Sequence, residues 1–345
     1  MQFFSQDLGI DLGTSNVLVY VDGKGVQIRE PSVVAMDKNT GKILQVGAAA
    51  QNMLGRTPGN VVAMRPLKDG VIADHEMTVK MLQHVFQTVS KSTLFSPKPR
   101  VIVCVPSSIT EVEERTVINA TIEAGARRVY LIEEPLAAAI GAGLDIKGPN
   151  GHMVVDIGGG TTDIAVLTMN AVAYSSSIKA AGIHMDEAII QYIRRKHGAL
   201  IGQTTAEDVK IQIGSVYPRS EELTMTVRGR HAKNGTPVDV TLSSSEILTA
   251  LSPIAQQIGE AVLSVLENTS PELVSDISQN GITLTGGASQ IWGMDLLLSE
   301  ATGIPCRVAD DPASCVAYGC GKSLSWINHM SEGPINIARR RLLRR

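Results

Sequence analysis

One short pattern occurs twice in this 345-residue chain, and it limits the possible folds more than any other feature. Residues 11–14 read Asp-Leu-Gly-Thr, and residues 156–159 read Asp-Ile-Gly-Gly, 145 positions later. In both places an apolar, strand-like run reaches an aspartate and then enters a glycine-containing turn. A repeat at that distance predicts two related domains that face each other. The chain length agrees, at about 150 residues per domain.

The spacing of apolar residues predicts alternating strands and helices, which is typical of an α/β fold. Strands are predicted near residues 8–12, 17–21, 101–105, 129–132, 153–156, 164–167, 223–229, 236–242 and 282–285, and helices near 78–91, 135–144, 185–197, 206–213, 243–268 and 313–327. Thr110 with Glu113, and Ser243 with Glu246, form capping boxes that mark the start of two helices. A Gly/Pro/Asn stretch at 147–151 separates the two halves.

Composition and charge exclude several classes of protein. Lys and Arg number 31 against 34 Asp and Glu, and aromatic residues are only 3%, so the chain has neither the basic field nor the stacking side chains expected for binding nucleic acid. It has no run of 18 apolar residues, and its first seven residues do not resemble a secretory signal. Four cysteines without a CxxC pair are expected to be buried thiols in a reducing cytoplasm.

Three glycine-containing turns, each after a strand, are candidates for phosphate binding. Turned amides point at anions, and glycine lets the backbone come close to a ligand. One such turn would be an ordinary hairpin, but two with strand-end aspartates can hold β- and γ-phosphates from opposite sides. Asp11 and Asp156 would then lie where a Mg²⁺ ion, contacted through waters, would balance the phosphate charge. The candidate residues are Gly13, Thr14, Ser15, Asn16, Gly158, Gly159, Gly160, Thr161, Thr162, Gly286, Gly287 and Ala288.

Familiar alternatives to this arrangement fail on the sequence. Gly321-Lys322-Ser323 matches the end of a P-loop, but Val316 occupies the first glycine position of that motif. No GxGxxG follows a strand, so a dinucleotide-binding Rossmann site is not supported. The chain also contains neither an HExxH zinc motif nor a GxSxG nucleophile elbow.

Seven motifs spread over nearly the whole chain carry a family resemblance. They are DLGTSN at 11–16, EPSVVA at 30–35, MLGRTPGN at 53–60, RPLKDGVIAD at 65–74, IEEPLAAAIGAG at 132–143, VDIGGGTT at 155–162 and LTGG at 284–287. Together they resemble the actin-like ATPases, and within them the MreB family of bacterial cell-shape actins. The resemblance implies a duplicated actin-like α/β fold with two large domains, each carrying a smaller subdomain, and a nucleotide cleft between them. The implied division is 1–31, 66–144 and 309–345 for subdomain IA, 32–65 for IB, 145–181 and 241–308 for IIA, and 182–240 for IIB.

The resemblance also implies a function. Such a protein binds ATP with Mg²⁺, polymerises into paired protofilaments on the inner face of the cytoplasmic membrane, and organises the elongation machinery for cell-wall synthesis. ATP hydrolysis would be slow and coupled to assembly. Two other readings stay open on the residues alone, a small-molecule kinase and a heat-shock-type chaperone ATPase. Pelleting with ATP and Mg²⁺ would distinguish a filament protein from a kinase.

Site roles follow from the resemblance position by position. Glu134 matches the residue that activates water, and Thr161 matches the one that helps to position it. Because Glu134 precedes Pro135 at a helix start, the helix dipole is expected to favour its ionised form, which makes it an orienter of water rather than a strong base. Glu207 and Lys210 match positions that flank the adenosine, although a surface ion pair between them is the alternative.

Two apolar pairs and a basic tail are candidates for membrane contact. Leu94 and Phe95 lie between polar residues and match the family's membrane-insertion loop, and Phe3 with Phe4 would add to it. The alternative is that the Leu94–Phe95 pair packs into the core. The tail at 339–345 contains five arginines, and it is expected either to fray in solvent or to meet anionic lipid.

Several positions depart from the family pattern, among them residues 183–186 and 317–321 and three single residues. Asp163 stands where a glutamate is common, and the acid is kept. Ala181 and Ala288 each replace a glycine that is frequent there. Their methyl groups are expected to hinder close approach of a phosphate or an adenine, which would lower nucleotide affinity.

Overall fold

The computed structural model describes residues 7–89 and 98–329, in which strands and helices alternate. The predicted membrane residues Phe3, Phe4, Leu94 and Phe95, and the basic tail, lie outside these ranges. The first half contains β1 (Leu8–Leu12), β2 (Asn16–Val21), β3 (Gly25–Pro31), β4 (Val34–Asp37), β5 (Ile43–Val46), α1 (Ala48–Gln51), β6 (Val61–Met64), β7 (Leu67–Lys68), β8 (Val71–Ile72), α2 (His75–Val89), β9 (Arg100–Val105), α3 (Glu111–Ala124), β10 (Arg128–Glu133) and α4 (Glu134–Gly141). The second half contains β11 (His152–Ile157), β12 (Thr162–Thr168), β13 (Ala171–Ile178), α5 (Gly182–His197), β14 (Ala199–Leu200), α6 (Gln203–Ile213), β15 (Thr224–His231), β16 (Pro237–Ser243), α7 (Ser244–Glu267), α8 (Pro271–Asn280), β17 (Ile282–Thr285), α9 (Met294–Thr302), β18 (Cys306–Val308) and α10 (Cys315–Ser323).

Two five-stranded sheets repeat the same arrangement. One has the order β3-β2-β1-β9-β10, and the other β13-β12-β11-β17-β18. In each sheet the central strand pairs antiparallel with the next strand in the chain and parallel with a later one. The duplication predicted from the sequence is therefore confirmed. Because β1 and β11 occupy equivalent places, Asp11 and Asp156 lie near the carboxyl ends of matching strands, where α/β folds place their ligands.

Two three-stranded sheets accompany the large ones. One sheet has the order β5-β4-β6 and is formed by strands between β3 and α2 in the chain. The other has the order β14-β15-β16 and is formed in the second half. The strands predicted near 223–229 and 236–242 are confirmed as β15 and β16. The sequence reading did not predict β4, β5 and β6, because they are short and half-exposed.

A shared apolar core joins the two large sheets. Ile102 and Ile132 of the first sheet lie in one buried cluster with Val154 and Leu167 of the second. The same cluster takes in α4 and α10, so these two helices lie between the halves of the molecule. Buried on both faces, the parallel strands read as continuous apolar runs, which is why the sequence predicts them well.

Helix α10 also lies directly on β1. A Cβ added to Gly9 in β1 would come within 2.7 Å of the Gly321 backbone nitrogen, so the two backbones meet at glycines. The helix predicted at 313–327 is shorter in the structure, since 3-10 turns at Pro312–Ser314 and Leu324–His329 flank it. Helices α8 and α9 were not predicted.

Both predicted capping boxes are confirmed. The Thr110 hydroxyl accepts from the Glu113 amide at 3.3 Å, and the Glu113 carboxylate accepts from the Thr110 amide at 2.9 Å. Ser243 and Glu246 make the same reciprocal pair at the start of α7. Within the described ranges, every helix falls short of the length and apolarity needed to cross a membrane.

Candidate functional site

A cleft of about 630 Å³ opens between the two halves of the chain. That volume is typical of a site for a small molecule. The first half contributes Asp11, Gly13, Thr14, Ser15, Asn16 and Glu134, and the second half contributes Asp156, Gly158, Gly159, Gly160, Thr161, Glu207, Lys210, Gly286, Gly287 and Ala288. The structure therefore brings together nearly all of the site residues proposed from the sequence.

Thr162 is the exception among the candidate phosphate contacts. Its side chain is fully buried, and its hydroxyl donates to the Ala180 carbonyl oxygen at 2.6 Å. It does not line the cleft, so the expectation that Thr162 contacts a phosphate is corrected. Thr162 is the first residue of β12, and its side chain points away from the cleft toward the segment that precedes α5.

The two glycine turns, one from each half, touch across the cleft. A Cβ on Gly159 would lie 2.1 Å from the Ser15 hydroxyl oxygen, and one on Gly160 would lie 2.6 Å from that of Thr14. Only glycine permits this approach. The 158–161 turn is closed by a hydrogen bond from the Gly158 amide to the Thr161 carbonyl oxygen at 2.9 Å. The result is a pair of opposed turns whose backbones face one narrow space, suited to an anion gripped from two sides.

Asp11 and Asp156 lie at the base of this space. Burial raises the pKa of Asp11 to about 6, although the Cys104 thiol donates to its Oδ1 at 3.3 Å. Burial likewise raises the pKa of Asp156 to about 7, against the effect of the Thr285 hydroxyl, which donates to it at 2.7 Å. No Lys or Arg within 7–89 and 98–329 forms an ion pair with either carboxylate.

These two carboxylates fit a role beside Mg²⁺ but do not form a complete metal site. Both present the hard oxygen atoms that Mg²⁺ prefers, and both lack a cation to balance their charge. Across the described residues, no group of three or more His, Cys, Asp or Glu side chains is arranged to hold a metal ion. Mg²⁺ would therefore need phosphate oxygens and waters for the rest of its shell, as expected for a magnesium–nucleotide complex.

Glu134 is the first residue of α4 and lies half-buried at the same end of the cleft. Burial, and then the carboxylates of Asp163 and Asp156, raise the pKa of Glu134 well above its ordinary value. This shift is opposite to the expectation that the helix dipole keeps Glu134 ionised. Burial among like charges outweighs a dipole effect of about 0.3–1 kcal/mol.

Asp163 is a functional candidate that the sequence reading treated only as a substitution. It is fully buried beneath the cleft, and its Oδ1 accepts from the Ser107 amide at 3.2 Å. Burial raises its pKa, and hydrogen bonds from Ser107 and Thr161 oppose that shift. The carboxylate thus ties the turn that carries Thr161 to the first half. The sequence signal that could have identified Asp163 as a functional residue is its position directly after the Thr-Thr pair, in a buried strand.

The other end of the cleft contains Glu207 and Lys210 on α6. Lys210 Nζ lies 2.7 Å from Asp186 Oδ1 and donates to the Gly182 carbonyl oxygen at 2.9 Å, with only 13% of its side chain exposed. Its ion pair is therefore internal, and the alternative of a surface pair with Glu207 is wrong. Glu207 instead accepts from Gln51 Nε2 at 3.4 Å, which links α6 to the small sheet of the first half.

Arg65 contacts the first glycine turn from the first half of the chain. Its Nη1 donates to the Ser15 carbonyl oxygen at 3.0 Å, which holds the first glycine turn from behind. Burial lowers the pKa of Arg65, and the charges of Glu207 and Asp186 oppose that shift. The sequence reading saw Arg65 only as part of a family motif, because nothing local in the chain shows that it meets the turn.

The two alanines that replace family glycines have different places. Ala288 lines the cleft, so its methyl group does face a ligand. Ala181 is fully buried at the start of α5 and is not part of the cleft wall. The expected obstruction of a ligand therefore concerns Ala288 alone.

Comparison with known proteins agrees with this geometry. A family model described as MreB/Mbl protein matches residues 5–332. The chain is 52% identical over 329 residues to the cell shape-determining protein MreB of Escherichia coli (strain K12), covering 94% of this chain and 95% of that protein. It superposes with a TM-score of 0.89 at 39% identity on MreB 5 of Spiroplasma citri bound to AMPPNP, covering 94% of this chain and 97% of that one. The MamK double helical filament gives a TM-score of 0.81 at 23% identity over 93% of this chain and 99% of that one, which concerns the fold alone. The predicted actin-like fold is confirmed.

Proposed function

The chain belongs to the MreB/Mbl family, and from that premise we propose that it binds ATP with Mg²⁺ and assembles into filaments that help to determine bacterial cell shape. The observation that carries the proposal is the pair of opposed glycine turns in contact across one cleft. A triphosphate held between them would tie the two halves of the molecule together. The relative bound to AMPPNP, at 39% identity, supports a nucleotide as the ligand.

Each end of the cleft has its own part in this proposal. Amides of the turns at 13–16 and 158–161 would bind the phosphates. Mg²⁺, held beside Asp11 and Asp156, would supply positive charge to the phosphate oxygens. Glu207 and Lys210 would flank the adenosine. Because Lys210 is already paired with Asp186, it would act as a fixed wall rather than as a free cation.

Slow hydrolysis is the proposed chemical step. Glu134 and Thr161 would orient a water molecule toward the terminal phosphate. Loss of that phosphate would release one of the contacts between the two turns and relax the halves, which would couple the nucleotide state to assembly. Orienting that water is the role proposed for Glu134, whose raised pKa would in addition make its ionised carboxylate a stronger base than an ordinary glutamate.

Nucleotide binding is tested by adding one methyl group to a turn. Gly160→Ala places a Cβ 2.6 Å from the Thr14 hydroxyl oxygen and should weaken ATP binding at least tenfold, or about 1.4 kcal/mol. Gly148→Ala is the matched control, since nothing lies within 4 Å of its added Cβ. Calorimetric titration with ATP and Mg²⁺ measures both. Equal affinity in the two variants would remove the turns from the binding site.

Hydrolysis is tested at Glu134 in assembled polymer. Glu134→Ala should slow phosphate release by about 10²-fold while ATP still binds. Asp239→Asn is the control, because that carboxylate is exposed, remote from the cleft and paired with Arg228. An unchanged rate in the Glu134 variant would contradict the assignment.

Filament formation and membrane contact are separate parts of the proposal. High-speed pelleting should recover the protein with ATP and Mg²⁺ and leave it soluble with EDTA, whereas phosphorylation of an added small molecule would instead support a kinase.

Leu94 and Phe95 are proposed to insert into the inner face of the membrane, at roughly 1.5–3 kcal/mol each when fully buried. A filament presents many copies of this loop, so their weak contacts together would bind the membrane firmly by avidity. Leu94→Ser with Phe95→Ser should keep pelleting and abolish co-sedimentation with liposomes, and retained lipid binding would refute the loop's role.

The division into four subdomains and the cellular partners are also proposals. Sheet membership supports the division, because β17 and β18 join β11 while α10 packs on β1. The name of the 52%-identical relative, a cell shape-determining protein, supports a link to cell-wall synthesis at the cytoplasmic face of the membrane. Depletion of the protein should round rod-shaped cells, and an unchanged shape would contradict that link.

A further inference from the structure

A tight hairpin of the first half reaches both glycine turns. β7 and β8 pair antiparallel, and the two residues between them, Asp69 and Gly70, have positive φ values of +50° and +77°. Asp-Gly is a sequence that two-residue hairpin turns of this kind favour. The Gly70 amide donates to the Thr14 hydroxyl at 3.0 Å, and a Cβ on Gly160 would lie 3.0 Å from the Asp69 Cα. The tip of this hairpin therefore contacts one glycine turn from each half of the molecule.

The side chain of Asp69 faces two basic side chains of the second half. Lys179 Nζ lies 3.8 Å from Asp69 Oδ2, and His184 Nε2 lies 3.8 Å from Asp69 Oδ1. Lys179 is 70% exposed, whereas the side chains of Asp69 and His184 are only 20% and 25% exposed. His184 adds a second positive charge when its ring is protonated. One carboxylate of the first half is thus shared by two basic groups of the second half.

The segment that carries both basic residues is tied to the second glycine turn. It runs from the end of β13 into the first turn of α5, and the Gly182 amide within it donates to the Gly158 carbonyl oxygen at 3.1 Å. The first half presents a further carboxylate to this segment. Hydrogen bonds from Thr110 lower the pKa of Glu113, and the positive charge of Lys179 adds to that lowering. Movement of the segment relative to the first half would therefore carry the 158–161 turn with it.

The distances at Asp69 leave room for the contact to tighten. At 3.8 Å each nitrogen–oxygen pair attracts by charge but is longer than a hydrogen bond, which spans about 2.7–3.2 Å. Closure of the cleft by about 1 Å would turn either contact into a charged hydrogen bond. An attraction that is stronger in the closed form than in the open form shifts the molecule toward the closed one.

We propose that Asp69, Lys179 and His184 form a charged latch that holds the two glycine turns together and slows the release of a bound nucleotide. The inference rests on the proposed binding of ATP, because a nucleotide held between the turns leaves as they separate. None of the three side chains lines the cleft, so the latch acts on the position of the turns and not on the ligand itself. It forms once the halves have closed, so it slows release and leaves association unchanged.

The test measures how fast the fluorescent analogue N-methylanthraniloyl-ATP leaves the full chain in Mg²⁺ when excess ATP is added. Asp69→Asn removes the charge and keeps a residue that tolerates positive φ. It should speed release about threefold, which is the scale of a partly exposed ion pair, with an unchanged association rate. Raising the salt concentration should speed release from the unaltered protein but not from this variant. Lys68→Gln is the matched control, because Lys68 is exposed beside Asp69 and forms no ion pair with the described residues.

A combination of variants shows whether the three side chains act as one unit. Lys179→Gln with His184→Gln removes both partners and should match Asp69→Asn, and adding Asp69→Asn to that pair should speed release no further. Additive effects would overturn the inference, since the side chains would then act separately. Equal release from the unaltered protein and Asp69→Asn would also overturn it while leaving the proposed function intact.

A second measurement needs no nucleotide and separates the latch from the proposed function. Amide hydrogen exchange at residues 67–72 and 158–162, followed by mass spectrometry, should be faster in Asp69→Asn than in Lys68→Gln, because the two turns would separate more often. Equal exchange in the two variants would overturn the latch. If the unaltered protein bound no nucleotide, the proposed function would fail, and the exchange rates alone would decide whether these side chains hold the turns together.

Discussion

Gly319→Ala should destabilise the protein strongly, because α4 and α10 cross at glycines. A Cβ on Gly319 would lie 1.8 Å from the Ala137 carbonyl oxygen, and one on Gly141 would lie 1.7 Å from that of Cys315. Ordinary van der Waals contact begins at 3.4 Å, so the methyl group added at Gly319 would force the two helices apart by about 1.6 Å. The obstructing atom belongs to the backbone and cannot rotate away.

The cost follows from what the two helices hold together. They lie in the core shared by both sheets, so separating them opens gaps around Leu136 and Val316. Overpacked cores cost about 1–3 kcal/mol where side chains can adjust, and we expect the upper end or more here. Urea unfolding followed by circular dichroism should show a clearly lower midpoint. The shift would also displace Glu134 at the start of α4, so ATP hydrolysis should fall in the same variant.

Gly259→Ala in α7 is the control for this prediction. Nothing lies within 4 Å of the added Cβ, and alanine in a helix interior is favoured over glycine by up to about 1 kcal/mol. The control should therefore unfold at the same urea concentration as the unaltered protein or at a higher one. An unchanged midpoint for Gly319→Ala would refute the close crossing of α4 and α10.

Two further predictions concern helix starts. Thr110→Ala removes the cap of α3 and should cost about 1 kcal/mol in urea unfolding, whereas an unchanged midpoint would mean that the capping box contributes nothing. Burial alone would raise the pKa of Glu246, but hydrogen bonds from Lys196, the Ser243 amide and His197 bring it below its ordinary value of 4.5. A carboxyl group whose pKa is lowered by folding stabilises the fold at neutral pH, and this stabilisation is lost as the pH falls through that pKa. The free energy of unfolding should therefore drop more steeply below pH 4.5 in the unaltered protein than in Glu246→Gln. Parallel pH profiles would contradict this.

The sequence predicts the parts of the fold that local chemistry determines. The two capping boxes, the buried parallel strands and the repeated Asp-apolar-Gly turns are all where the pattern places them, because each depends on neighbouring residues. Thr162 was placed wrongly, since β alternation turns its side chain away from the cleft while Thr161 faces it. Helix α8 was not predicted, although Ser270-Pro271 is a helix-start signal. Its pattern is short and directly follows that of the longer α7.

Features that depend on distant segments were beyond sequence reasoning. From the sequence, a surface ion pair of Lys210 with Glu207, one turn away on α6, was the alternative interpretation, but the partner of Lys210 is Asp186 on α5. The high pKa of Glu134 arises from burial and, after that, from carboxylates of both halves that meet at one place. The stack of Arg219 on Trp292 joins residues far apart in the chain. In each case a charge or ring finds its partner only after the sheets and helices are assembled.

The position of α10 on β1 sets the order in which the molecule can be completed. β11 to β18 come from one continuous stretch of chain, so that sheet is complete once Val308 has left the ribosome. β1 is synthesised before that sheet, yet the face of it around Gly9 has no helical cover until residues 315–323 emerge. During translation the apolar surface of β1 therefore stays uncovered until α10 is made, and it offers a chaperone a place to bind.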